Sequence, residues 1–255
     1  MIKFFRRIRQ RLLAENRISK YALYAVGEIF LVVIGILIAL QINNWNENRK
    51  QKMTSRLLVE RLKQALNRDI ENITYRIDDA KNIKKSLTTL MSMFGESPVE
   101  GTNSEIDSLL SWATRDYLLS FNLNPLLEAR DNGEISLINS DSLKSKLYEF
   151  IGQVEFINER EKNLNEDKDN YLVPFLYDNV NMRNIPFRFK KLHKEKVGDS
   201  KLEASNYDVL FQNRKFENML NQRFLYSEER IITYQYVEMF LKELRNMLIK
   251  ENEKE

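Results

Sequence analysis

Residues 21–42, YALYAVGEIFLVVIGILIALQI, contain no proline and a single charged residue, Glu28. As one helix this stretch measures roughly 33 Å at about 1.5 Å per residue, against a hydrocarbon layer of about 30 Å. It predicts a single transmembrane helix over 21–43, and the rest of the chain is placed by that helix. Seven basic residues precede it (Lys3, Arg6, Arg7, Arg9, Arg11, Arg17, Lys20) with one acid, Glu15, whereas the 20 residues from Asn43 carry five bases and two acids. This bias predicts a basic cytoplasmic segment over 1–20 and an extracytoplasmic domain over 44–255. A signal peptide would have a shorter apolar core and a small-x-small cleavage site. Ala39-Leu40-Gln41 ends instead in a bulky polar residue, which favours an uncleaved signal anchor.

The same basic flank accounts for the net charge of +3. Without the first 20 residues the chain holds 33 basic and 36 acidic groups, so no nucleic-acid partner is expected of its folded part. Absence of cysteine excludes structural disulfides, thiol catalysis and thiolate metal sites. Seven glycines and four prolines beside 30% charged residues describe long helices with few tight turns, hence an all-α fold.

Within the span, Glu28 lies about two turns from the basic end, where an unpaired carboxylate facing lipid is expensive. Glu28, Leu31, Gly35, Ala39 and Ile42 fall on one helical face, and Gly35-x-x-x-Ala39 lets another helix approach closely. Two readings follow. Either this face packs against a second copy or a partner membrane protein, with Glu28 protonated or hydrogen-bonded there, or the carboxylate is drawn to the nearer interface, towards Lys20 or a headgroup. Tyr21, Tyr24 and Trp45 sit where aromatic belts are expected. The opening FFRRIRQRLL is either a helix lying in the interface or only a positive-inside signal.

Beyond the span, Leu66, Ile70, Ile73, Ile77, Ala80, Lys84, Leu87, Met91 and Phe94 step alternately by four and three, which predicts a long amphipathic helix over 50–94. Its seam suits a parallel coiled coil between subunits and an antiparallel bundle within one. GESPVEGT, 95–102, is a loop. Short helices are expected over 103–132, one capped by Asn103 or Ser104, the next opened by Asn124 with Pro125 at its first position and closed by Asn132-Gly133. A long helix over 141–178 carries Leu143, Leu147, Phe150, Val154, Ile157 and Leu164, with Pro174 kinking or ending it. After an irregular loop over 181–205, a last helix over 206–252 is predicted through Phe216, Leu220, Phe224, Ile231, Tyr234, Val237, Leu241, Leu244 and Leu248.

The first 52 residues, with Gly27-Glu28, Val33-Ile34-Gly35-Ile36 and Gln41-Ile42-Asn43-Asn44-Trp45-Asn46, resemble the opening of a large family of uncharacterised bacterial single-pass membrane proteins, a domain of unknown function. Asn124-Pro125-Leu126, Gly133, Leu143 and the stretch 216–248 are more loosely similar. The resemblance implies topology and supplies no activity.

No chemical motif competes with that reading. His193, the one histidine, has no ligand spacing around it and reads as a solvated loop residue. Glu166, Asp167 and Asp169 lack the glycine of a calcium loop and read as the wet face of a helix. No nucleophile-elbow, Walker or Rossmann glycine pattern occurs. In the irregular loop, Phe187-Arg188-Phe189-Lys190-Lys191 with Arg183 nearby alternates aromatic and basic side chains. It either contacts anionic lipid or an acidic wall polymer, or is a solvated loop with its rings tucked onto the nearest helix. The expectation is a non-enzymatic, cofactor-free helical scaffold or protein-interaction module of the cell envelope. The alternative is an extracytoplasmic sensor or ligand-binding bundle that signals through its span to a separate partner.

Overall fold

A computed structural model describes residues 18–185 and 200–254, and among them the protein is all-α with no strand. In chain order the helices are α1 (Ile18–Met91), α2 (Asn103–Ala113), α3 (Asn124–Asp131), α4 (Asp141–Asp167), α5 (Val173–Asn179), α6 (Tyr207–Leu210) and α7 (Arg214–Lys254). The chain divides within α1 into two units, Met1–Ser55 and Arg56–Glu255.

In the first unit the apolar stretch of α1 buries nothing: Leu23, Ile29, Phe30, Leu37 and Ile42 are all more than half exposed. With a mean hydropathy of 2.5, this is one helix long and apolar enough to cross a membrane by length and composition.

In the second unit the rest of α1 buries Leu58, Leu62, Leu66, Ile73, Ile77, Ile83, Leu87 and Leu90 inside the same chain, so this seam is filled intramolecularly. Ion pairs and one hydroxyl–carboxylate hydrogen bond fix the directions. Lys84 meets Glu228 and Thr74 meets Glu238, so α7 runs antiparallel to this part of α1. Arg160 meets Glu229 and Lys146 meets Glu243, so α7 is also antiparallel to α4. The core between them is Leu143, Leu147, Phe150, Val154, Ile157 and Leu164 from α4, with Phe216, Leu220, Tyr234, Val237, Leu241, Leu244 and Leu248 from α7.

Local chemistry sets the element ends, with several departures from the sequence expectation. Thr102, rather than Asn103 or Ser104, caps α2, because Glu105 lies three residues on and completes a reciprocal capping box. Leu123 precedes α3 without a side-chain cap. Asn124 is already helical and Pro125 follows it in the first turn, where its missing N–H leaves no bond unmade. Gly133, at φ 73°, supplies the left-handed residue that turns the chain into a 3₁₀ turn, Glu134–Leu137. Ser140 caps α4 through the Leu143 N–H.

Pro174 does not end the helical path. A π-helical turn, Lys168–Leu172, widens the backbone just before it, the Val173 N–H bonds to the Lys168 carbonyl, and α5 starts with Pro174 in its first turn. The last helix also starts late. Asn206 caps only α6, and Asn213 then opens α7 by accepting the N–H groups of Lys215 and Phe216. Phe94, Phe175, Phe211 and Phe216 pack with ring centroids 5.1–5.7 Å apart and fix that corner.

Candidate functional site

Between α2 and α3 the chain runs irregularly through residues 114–123, yet Tyr117 and Leu119 are 2% and 1% exposed. Buried backbone without helical bonds must find other partners, and side chains from three long helices provide them. Asn165 of α4 accepts the Tyr117 N–H at 2.9 Å and donates to the Tyr117 carbonyl at 2.7 Å. Glu161, one turn earlier, accepts the Leu119 N–H at 2.9 Å. From α1, Asn72 donates to the Ser120 carbonyl at 2.7 Å and Asp69 accepts the Asn122 N–H at 3.0 Å.

Arg223 of α7 closes the other end. Fully buried, it donates through Nη2 to the Arg115 carbonyl at 2.6 Å, through Nε to Ala113 at 3.3 Å and through Nη1 to Leu164 at 3.5 Å. Its guanidinium carbon lies 4.6 Å from the centroid of the Tyr117 ring, a cation–π contact inside the bundle. Arg115 pairs with Asp79 of α1 at 3.1 Å and stacks on Trp112. Buried Lys168, in the π-helical turn, binds Asp116 and also Asp169 at 2.9 Å. Asp169 itself is exposed, as the sequence reading of a wet face has it.

A second layer holds the clasp. Glu161 also accepts the Tyr234 hydroxyl, while Glu229 takes the Arg160 fork at 2.8 and 2.9 Å and one Arg230 nitrogen at 2.9 Å. Burial pushes the carboxyls of Asp69 and Glu161 above their usual range; the Asn122 N–H opposes the shift at Asp69, and Tyr234 with the Leu119 N–H opposes it at Glu161. Burial and the neighbouring Glu161 raise the Tyr234 hydroxyl as well. Beside Asp69 lies a small cavity of about 10 Å³, room for no more than one water. Chemically, the arrangement fastens chain to chain.

The residues singled out from sequence lie elsewhere. Gly35 and Ala39 sit exposed on one face of α1 with Glu28, which is half-buried, and a Cβ built on Gly35 meets nothing within 4 Å. Arg183 is exposed, its N–H bonded to the Asn181 side chain. Phe187, Arg188, Phe189, Lys190 and Lys191, with His193, lie outside the described residues. Among the described residues no three His, Cys, Asp or Glu converge for a metal.

Reading for apolar residues passed over the clasp. In α7 the buried sequence between Leu220 and Tyr234 is Arg223, Ser227, Arg230, while Phe224 and Ile231, expected in the seam, are only half-buried. The signal was the alternating three- and four-residue step itself, which runs through 216, 220, 223, 227, 230 and 234. Likewise Glu161 fills the step between Ile157 and Leu164 in α4.

Residues 28–94 match the family of unknown function DUF6090. No curated protein and no solved structure matches the chain.

Proposed function

We propose that this protein is a non-enzymatic, membrane-anchored helical scaffold or protein-interaction module of the bacterial cell envelope. In this reading its N-terminus lies in the cytoplasm and its bundle outside, and copies pair through the Glu28, Gly35 and Ala39 face in the lipid bilayer. The observation that carries the reading is the apolar stretch of α1, none of whose residues is buried in the protein, on a chain whose other unit has a filled core of its own. Such a stretch needs lipid or another helix to cover it. Asn165, Glu161 and Arg223 support the same reading, since each is engaged with backbone of the irregular segment.

The sensor reading meets a size limit at the clasp, where a cavity of about 10 Å³ admits no organic ligand. An open groove of about 380 Å³ beside Tyr177, Asn181, Leu202 and Ser205 has the volume for one, without enclosure. Reporter fusions at Trp45 and at the C-terminus test the proposal, using one enzyme active only in the cytoplasm and one active only outside it. External activity at both positions is the expected result; cytoplasmic activity at the C-terminus would overturn the envelope assignment.

A further inference from the structure

The cavity beside Asp69 is walled by carbon from every element packed against it: Leu62 and Leu66 of α1, Leu126 of α3, Leu147 and Phe150 of α4, and Leu244 of α7. Asn122 is its other polar lining residue, and no second titratable or charged side chain faces it. Asp69 is 4% exposed. One carboxyl oxygen, Oδ1, is held by the Asn122 N–H at 3.0 Å, while Oδ2 is buried without a hydrogen-bond partner. An ionised oxygen facing such walls is penalised by lost hydration, whereas a neutral carboxyl keeps the Asn122 bond at much lower cost.

We propose that Asp69 is a proton-operated latch on the irregular segment 114–123. With the proton on, the carboxyl stays docked on the Asn122 amide. When the O–H bond breaks and the proton passes to solvent, the carboxylate draws water to itself and the Asn122 amide is released from α1, while Asn72 still holds the Ser120 carbonyl. Glu161 is built differently: both its oxygens have donors, Tyr234 and the Leu119 N–H, and Arg230 and Arg76 lie close enough to favour its charge. The direction of the Asp69 shift, upward through burial with only the Asn122 N–H opposing, agrees with a latch that closes on acidification.

The test is hydrogen exchange of the Asn122 amide in the full chain in detergent micelles from pH 4.5 to 8, corrected for the intrinsic rate. Release of one proton on opening makes the opening constant rise about tenfold per pH unit up to the folded-state pKa and level off above it. In Asp69→Asn, which keeps an acceptor for Asn122, the profile is flat. A flat profile in the unaltered chain, or the same slope in Asp69→Asn, would overturn the proposal. Should Asp69→Asn not fold, carbon-13 titration of the aspartate carboxyls in the unaltered chain decides. One carboxyl must titrate above the ordinary aspartate range, and its absence would equally overturn the latch.

Discussion

The side-chain amide of Asn165 binds both backbone groups of Tyr117, accepting its N–H at 2.9 Å and donating to its carbonyl at 2.7 Å. A single side chain thereby does for an irregular residue what a neighbouring strand would do in a sheet. Asn165→Leu leaves two polar groups unpaired beside a buried ring, at a cost of about 2–5 kcal/mol. Urea unfolding of the full chain in micelles should show that loss as a lower midpoint at unchanged slope. Asn165→Asp keeps the acceptor and loses the donor, so it should also destabilise.

Arg223 serves three carbonyls, those of Ala113 in α2, Arg115 in the irregular segment and Leu164 in α4. Arg223→Met preserves much of the packing and strands all three, with an expected loss of about 3 kcal/mol or more. Arg223→Lys should recover little of it, because one ammonium has no planar fork with which to reach three diverging acceptors. Recovery of full stability in the lysine variant would contradict this account of the clasp.

Asp69 and Glu161 both have folded pKa values raised by burial, from ordinary values of 3.8 and 4.5. A raised carboxyl binds its proton more tightly in the folded state. Its contribution to stability is therefore fully present below the ordinary value and is lost as pH rises through the folded one. The Asp69 and Glu161 contributions should fall as pH rises above about 4, against the opposite contribution of the lowered Glu229 and Glu238 carboxyls, which is lost as pH falls. Glu161→Gln should flatten part of the fall with rising pH while keeping an acceptor for the Leu119 N–H. Unfolding midpoints across this pH range measure the slope directly.

The all-α class was legible because helical periodicity is written in apolar residues: the α4 seam from Leu143 to Leu164 and the end of α7 are buried where the spacing puts them. The clasp was not legible by that route. Arg223, Arg230 and Glu161 occupy core steps with charged side chains, and a charge at a core step is paired only by residues distant in sequence, such as Ala113, Arg115 and Leu119. Helix starts failed for a more local reason. Thr102 outcompetes Asn103 because Glu105 can answer it, and the π-helical turn before Pro174 removes a clash that a regular helix would have suffered.

Gly35 has open space around it in the single chain, so a larger side chain there meets nothing in its own subunit. Gly35→Leu should leave bundle unfolding unchanged while weakening self-association in micelles by about tenfold or more, since close approach of two helices requires small residues. Sedimentation in density-matched detergent reads the second effect and urea unfolding the first. Loss of both together would place the glycine in the fold of the subunit instead.

The chain has no cysteine, so single cysteines placed one at a time from position 28 to 42 report pairing without background. Oxidative crosslinking of these variants in native membranes tests most directly whether the span is a contact surface between copies. Crosslinks peaking at 28, 31, 35, 39 and 42 and falling at the intervening positions are the predicted result. Uniformly absent crosslinks, or a maximum on the opposite face, would contradict it.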